Sequence, residues 1–257
     1  MIVAVHQGSY AELPETLATA AGRGARLVVA PEMITSGYNI GAAAHELAQG
    51  PDGRWSAELG ELAAKYGVGL VYGYPERDDS AVYNSVQLLG PDGSRLANYR
   101  KTHLFGDLDR TWFTPGDEPV VQAEFGGFRV GLLICYDVEF PEMVRAHALA
   151  GTQLLLVPTA LMRPHERIAD LLVPVRAHES RLYVAYANRC DTEAELTYCG
   201  HSTIAAPDET LAKAGDGPEL ILADLDPAVL ARSRDETPYL ADRRPRLYRT
   251  LTEGPPL

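Results

Sequence analysis

The sequence predicts an α/β fold with helices layered over mixed sheet, and three observations carry that expectation. The chain opens as a β-α-β unit. Residues 2–7 form a strand, residues 10–23 set Leu13, Leu17, Ala20 and Ala21 at helical spacing, and residues 27–30 form a second apolar strand. The middle of the chain is hairpin-like instead, with strand-type segments at 68–74 and 83–89 joined by the polar turn 76–80. The third observation is the stretch 128–142. An apolar run, 130–134, of the kind that suits a strand buried on both faces, stops at Cys135, turns acidic, and meets Pro141 where a first helical turn can begin.

Taken in order, Gly22 and Gly24 close the first helix. The second strand ends at Pro31-Glu32, so a carboxylate stands just past the carboxyl end of a strand, the edge where open α/β sheets place their sites. Asp52-Gly53 begins a second helix that runs through Tyr66, and Pro91-Asp-Gly93 makes a turn before a strand at 95–100. From 101 to 118 the periodicity vanishes, over a length more often found in a functional loop than in a plain connection. Beyond Cys135, residues 143–150 read as helix, 153–158 as strand, 163–181 as a helix containing Pro174, and 182–187 as a strand ending in Asn188. Segments 202–206, 211–214 and 219–224 add sheet, 227–234 a short helix, and 237–257 has no clear period. With no internal repeat, low-complexity tract or linker, one domain over residues 1–257 is the economical reading.

Composition narrows the function. Of 257 residues, 46% are apolar and 23% charged, as in ordinary globular proteins, which argues against disorder. Lys and Arg number 23 against 35 Asp and Glu; the formal charge of −12 argues against a nucleic-acid or anionic-membrane partner, which would need a basic face. A small neutral or cationic substrate is compatible with it. Three cysteines without a regular framework point to free thiols in a reducing compartment. The first residues enter a strand directly, and no apolar run reaches membrane-spanning length, so the expected setting is cytoplasmic.

Three candidates for chemistry occupy comparable places, each directly after a strand: Glu32, Lys101 and Cys135. A thiol needs a base, because its free pKa lies above neutrality. A carboxylate against an apolar wall can take that proton, and a fixed ammonium can hold a developing oxyanion. Together they make a covalent acyl-transfer site. Each also has a plainer role: Cys135 in core packing, Lys101 as a solvated lysine, Glu32 as a helix-start or salt-bridge carboxylate. A protein that uses Cys135 as an oxidation switch is the alternative from another class. The strand-to-helix setting of Cys135 is that of a nucleophile elbow, in which the next backbone N–H, here that of Tyr136, points at the oxyanion.

Three motifs in register then carry a family likeness: Val28-Val-Ala-Pro-Glu32 with Gly37-Tyr38, Tyr99-Arg-Lys101-Thr-His-Leu-Phe105, and Leu133-Ile-Cys135-Tyr-Asp-Val-Glu-Phe-Pro-Glu142. Over nearly its whole length the chain resembles the nitrilase, or carbon–nitrogen hydrolase, superfamily. Ser36-Gly-Tyr-Asn-Ile-Gly41, Val71-Tyr-Gly-Tyr-Pro-Glu76, Tyr83-Asn-Ser-Val-Gln87, the run from Lys101 to Arg110 and Tyr198-Cys-Gly200 make it most similar to the aliphatic amidases that cut small ω-amino or carboxamide substrates. The resemblance implies a single-domain, four-layer α-β-β-α sandwich, a homodimer or higher homo-oligomer, and no metal or organic cofactor.

It also implies roles. Cys135 is the nucleophile, Glu32 the general base and acid, and Lys101 the stabiliser of the tetrahedral intermediate, with the Tyr136 N–H as second oxyanion donor. Many members carry a further glutamate in the loop after the lysine; the matching position here is Asp109, one methylene shorter. The implied reaction is hydrolysis of a small linear carboxamide, such as 5-aminopentanamide, to acid and ammonia through a thioester. Hydrolysis of a nitrile or an N-carbamoyl amino acid by the same three residues is the alternative. For the far end of the substrate, Glu139 and Asp107 are candidates to meet an ammonium group, and Tyr38 and Trp112 to line the pocket. Acids after the elbow also complement a helix N-terminus, and loop aromatics also pack. His103 reads as a packing or hydrogen-bonding histidine, and Cys190 and Cys199 as thiols outside the chemistry.

Overall fold

Alternation along the first strands decides the layering. In β1 (Ile2–Gln7) and β2 (Leu27–Val29), Val3, Val5, Leu27 and Val29 face one core while Ala4 and Val28 face another. Neighbouring side chains leave a strand on opposite faces, so this sheet is buried on both. The computed structural model describes residues 1–252. Helices α1 (Leu13–Gly22) and α3 (Arg54–Tyr66) cover the outer face with Leu13, Leu17, Ala20, Trp55, Leu59 and Ala63; the short α2 (Ala43–Leu47) lies between them in sequence. Gly67 closes α3 in the left-handed conformation, φ 63°.

β3 (Gly69–Asp78) runs parallel beside β2, and β4 (Ala81–Leu89) and β5 (Arg95–Arg100) continue antiparallel, as the hairpin-like pattern predicts. After α4 (Gly106–Arg110) come β6 (Val121–Phe125), β7 (Phe128–Leu132), α5 (Pro141–Leu149), β8 (Leu154–Thr159), α6 (Val173–Ser180) and β9 (Tyr183–Asn188). The small hairpin of β10 (Thr192–Glu193) and β11 (Leu196–Thr197) follows, then β12 (Thr203–Ala205), β13 (Thr210–Lys213), β14 (Glu219–Asp224), α7 (Pro227–Glu236) and α8 (Arg249–Thr252). Among the described residues the strands form two six-stranded sheets, ordered β14-β1-β2-β3-β4-β5 and β13-β12-β9-β8-β7-β6. Val3, Val5, Val29 and Val71 of the first share a core with Leu132, Leu154, Leu156 and Ala185 of the second, and α5 and α6 close the far side with Val144, Ala148, Val173 and Ala177. The result is the expected α-β-β-α sandwich. Among the described residues no helix is long and apolar enough to cross a membrane.

The structure departs from the sequence pattern in several places, the short helices α2 and α8 among them. The aperiodic 101–118 segment contains α4, a helix of little more than one turn. The helix expected over 163–181 forms from Arg167 to Ser180 but is not uniform: a π-helical turn, Ile168–Leu172, runs directly into α6 at Val173. Pro174 sits just past that junction, where the wider π turn accommodates a residue with no N–H to donate. The edge strand β6 and the β10-β11 hairpin carry no apolar run to announce them. Of the 237–257 segment, residues 253–257 lie outside the described residues.

Candidate active site

The carboxyl ends of β2, β5, β7 and β8 meet between the sheets, and the candidate residues follow them. The Glu32 N–H donates to the Thr159 carbonyl at the end of β8 (3.3 Å), which joins one sheet to the other. This segment presses on β3. A Cβ on Gly73 would stand 2.3 Å from the Met33 nitrogen and 2.8 Å from the Glu32 Cα, so only glycine lets the carboxylate sit where it does. Lys101 directly follows β5, its N–H bonded to the Asn84 carbonyl of β4 (2.8 Å) and its carbonyl accepting from Gly116 (2.8 Å).

The side chains form a closed, buried cluster. Lys101 Nζ donates to Glu32 Oε1 (2.8 Å) and to Asp109 Oδ2 (2.6 Å), and Asn84 Nδ2 donates to the same Glu32 Oε1 (2.7 Å). Glu32, Asn84 and Asp109 are 0% exposed and Lys101 is 1% exposed. The shorter side chain of Asp109 reaches the ammonium because α4 carries it inward and the Phe105 N–H holds its Oδ2 (2.9 Å). The Tyr38 ring lies 5.5 Å from Nζ, within cation–π range.

Cys135 begins a 3-10 turn, Cys135–Glu139, with φ at 45°, a left-handed conformation that a non-glycine residue holds only under constraint from its surroundings. Asp137 supplies much of that constraint. Its Oδ2 accepts from the Ile134 N–H (3.1 Å) and the Tyr99 hydroxyl (2.9 Å), and its Oδ1 from the Thr102 hydroxyl and the His103 N–H (both 2.9 Å). The elbow is thus tied to residues on either side of Lys101. On the other flank Arg176 of α6, 7% exposed, donates to the Val138 and Glu139 carbonyls (3.0 and 2.6 Å). The Ala160 backbone, just past β8, acts to lower the pKa of the Cys135 thiol.

One cation between two carboxylates sets the electrostatics. Burial raises the pKa of Glu32, the Lys101 ammonium opposes the rise and Asp109 adds to it. For Lys101, burial alone would lower the pKa, but the charges of Asp109 and Glu32 outweigh it and hold it well above the ordinary lysine range. The Cys135 thiol is pushed well up by burial and then by Glu32, with Lys101 pulling the other way.

A cavity of about 120 Å³ opens on Cys135, walled by Tyr38, Phe105, Leu161, Met162 and Ile168, with Glu139 and the exposed His165 as its polar members. Burial raises the Glu139 pKa, opposed by His165, Lys101 and Arg176. Tyr38 and Glu139 thus stand in this wall, whereas Asp107 and Trp112 stand outside it. Asp107 is exposed in the first turn of α4, and Trp112 packs edge-on against His45, ring centroids 6.1 Å apart. His103 stacks on Phe140 at 4.0 Å and bonds Asp137. Cys199 takes a bond from the Asn188 amide (3.4 Å), and the Cys190 sulfur lies 3.9 Å from the Gln7 carbonyl. Among the described residues no group of three or more His, Cys, Asp or Glu side chains is placed to hold a metal ion.

Sequence reasoning passed over Asn84, Asp137 in its anchoring role, the Ala160 amide and His165. Only Asn84 carried a signal, as part of a polar pair, Asn84-Ser85, inside the otherwise largely apolar β4 and buried at 0% exposure.

The profile of the carbon-nitrogen hydrolase family matches residues 4–235. The chain is 49% identical over 232 residues to a Pseudomonas protegens protein described as "Hydrolase in pqqF 5'region", covering 89% of this chain and 81% of that one. It is 36% identical over 254 residues to the omega-amidase of Homo sapiens, covering 92% and 89%. Among solved structures, a mutant of the amidase from Nesterenkonia sp. AN1 superposes with a TM-score of 0.88 at 32% identity, covering 97% of this chain and 96% of that one; it shows covalent addition of the acetamide moiety of fluoroacetamide at its active site cysteine.

Proposed function

This chain belongs to the carbon–nitrogen hydrolase family, and from that premise we propose that it hydrolyses a small linear ω-amino carboxamide, such as 5-aminopentanamide, through a thioester on Cys135. The observation that carries the substrate is the cavity wall: Cys135 and Glu139 share one small cavity whose remaining lining is largely apolar. Apolar walls suit a methylene chain, a half-buried carboxylate suits a terminal ammonium, and about 120 Å³ is well below the 300–1,000 Å³ typical of larger ligands.

In the first half-reaction the Cys135 sulfur attacks the amide carbonyl as Glu32 takes the thiol proton. Negative charge passes to the carbonyl oxygen, which Lys101 and the Tyr136 N–H stabilise. The C–N bond then breaks, Glu32 returns the proton to the leaving nitrogen, and ammonia departs from a thioester. In the second half Glu32 takes a proton from water, the hydroxide adds to the thioester, and collapse returns the thiol and the acid. Lys101 serves both halves because charge develops on the same oxygen each time. Asp109 supports it by holding the ammonium opposite Glu32.

An amide is favoured over a nitrile by the donor count. Glu32 Oε2, Asn84 Oδ1 and Asp109 Oδ1 are buried acceptors without a hydrogen-bond partner among the described residues. An amide nitrogen and the ammonia it becomes supply N–H donors to such a cluster, and a nitrile nitrogen supplies none. The test is an amide and nitrile panel with ammonia detection, in which 5-aminopentanamide is expected to give the highest kcat/KM and to acylate Cys135 by intact mass. Equal kcat/KM for 5-aminopentanamide and pentanamide removes the ammonium site, and no acyl adduct under rapid acid quench removes the thioester.

A further inference from the structure

Three polar side chains of β4 are fully buried, Asn84, Ser85 and Gln87. Gln87 is bonded through both ends of its amide, to Ser56, Tyr72 and the Pro51 carbonyl, whereas the Asn84 Oδ1 has no partner among the described residues. A buried carbonyl without a protein partner is costly, so an apolar residue would serve packing better. What the amide provides is at its other atoms. The backbone carbonyl accepts from the Lys101 N–H (2.8 Å), and Nδ2 donates to Glu32 Oε1 (2.7 Å), the oxygen that Lys101 Nζ also meets (2.8 Å). One residue thereby holds both ends of the Glu32–Lys101 pair.

We propose that Asn84 is a positioning residue for the reaction: it locks Glu32 Oε1 beside Lys101, so that Oε2 alone is free to exchange the proton with Cys135. This rests on the reading of Glu32 as the base. The geometry gives two donors to Oε1 and, among the described residues, none to Oε2. A carboxylate so fixed cannot rotate to present either oxygen, and both half-reactions then use the same atom. The charged and titratable groups whose fields couple to Glu32 are Lys101, Asp109, Cys135, Tyr38 and Tyr198. Burial raises its pKa, and the Asn84 N–H is one of the contacts that counter the rise.

The experiment compares wild type with Asn84→Leu, which removes the donor, and Asn84→Asp, which keeps the shape and turns an acceptor on Oε1. For each, kcat/KM against pH is measured alongside the titration of the Glu32 carboxyl carbon by ¹³C NMR, assigned with Glu32→Gln. Expected is a rise in the Glu32 titration point of about one pH unit in Asn84→Leu and more in Asn84→Asp, with the acid limb of kcat/KM moving by the same amount. At a pH below that limb, Asn84→Leu then loses about tenfold in kcat/KM. If both folded variants leave the Glu32 titration in place, the positioning role is wrong while the base reading stands. If the titration moves and the acid limb does not, the base reading falls and takes the positioning role with it. A variant that loses activity with both titration and limb unmoved marks Asn84 as structural only, and overturns the proposal.

Discussion

The two sides of the space around Cys135 are built in opposite ways. On one side stand Glu32, Asn84, Lys101 and Asp109, at most 1% exposed, each held by the others through bonds of 2.6 to 2.8 Å. On the other stands the wall of Phe105, Glu139, Met162, His165 and Ile168, much of it half-buried or exposed, drawn from the loop after Lys101, the turn after Cys135, the irregular run past β8 and the π-helical turn. The first side is over-determined, so displacing one member leaves another buried and unpaired. The second is held by packing, which tolerates exchange of similar shapes. On the proposed function this contrast separates two kinds of control: the cluster would set the rate for every substrate, and the wall the ratio between substrates.

The largest test removes the nucleophile or the cation. Cys135→Ala is expected to lower ammonia release by about 10⁴-fold or more, and Lys101→Ala by about 10²–10³-fold, equally for long and short amides. Combining Cys135→Ala with Glu32→Gln should cost no more than the cysteine change alone, because the two act as one unit. Wild-type ammonia release by Cys135→Ala would break the comparison at its root, leaving the thiol free for a redox role.

Asp109→Asn sharpens the cluster side with a sign. The Asp109 charge is among the causes that raise the Glu32 pKa, behind burial, so its removal lets Glu32 ionise at lower pH and moves the acid limb of kcat/KM down. Asn84→Leu moves it up, and the opposed shifts of two neighbours of one carboxylate are hard to obtain from general damage. In the same Asp109 variant kcat should fall about 10- to 100-fold, the rate equivalent of one lost charged hydrogen bond. An acid limb that stays fixed or rises shows that Asp109 does not act on Glu32 through its charge.

The cluster was more legible in the sequence than the wall, for a physical reason. Glu32, Lys101 and Cys135 each interrupt a local pattern, an apolar or hairpin strand followed by a reactive side chain, and a strand's carboxyl end is a place that sequence can locate. Asn84 meets Glu32 only through the side-by-side run of β2, β3 and β4, and Lys101 through the register that sets Ser85 opposite Arg100. No window of sequence contains that information. The wall is harder still. His165 and Ile168 line it because the helix begins only at Arg167 and opens with a π-helical turn, and a uniform helical pattern drawn over 163–181 hides both features. The helix–sheet layering, by contrast, was written in the period of β1, β2 and α1.

On the wall, Glu139→Gln should lower kcat/KM for 5-aminopentanamide about tenfold and leave pentanamide within about twofold, because only the first carries a charge for the carboxylate to meet. Equal losses for the two amides would place Glu139 with the cluster rather than the wall, acting on the elbow that it helps to form.

The smallest expected effect is at Asp107, the other acid proposed for the ammonium end. Its side chain is exposed in the first turn of α4, two residues from Asp109, while its helix neighbour points into the cluster. An exposed carboxylate is screened by water and salt, and its attraction for a substrate charge is worth a fraction of that of a half-buried one. Asp107→Asn should therefore change kcat/KM less than about twofold for either amide, with the residual effect on 5-aminopentanamide fading as salt is raised from 50 to about 500 mM. A loss of about tenfold confined to 5-aminopentanamide would mean that the substrate's amino end leaves the cavity past Phe105 and meets solvent at α4. The selectivity of this enzyme would then lie in the loop after Lys101 rather than in the turn after Cys135, and the division between a rate-setting and a selecting side would run through α4 itself.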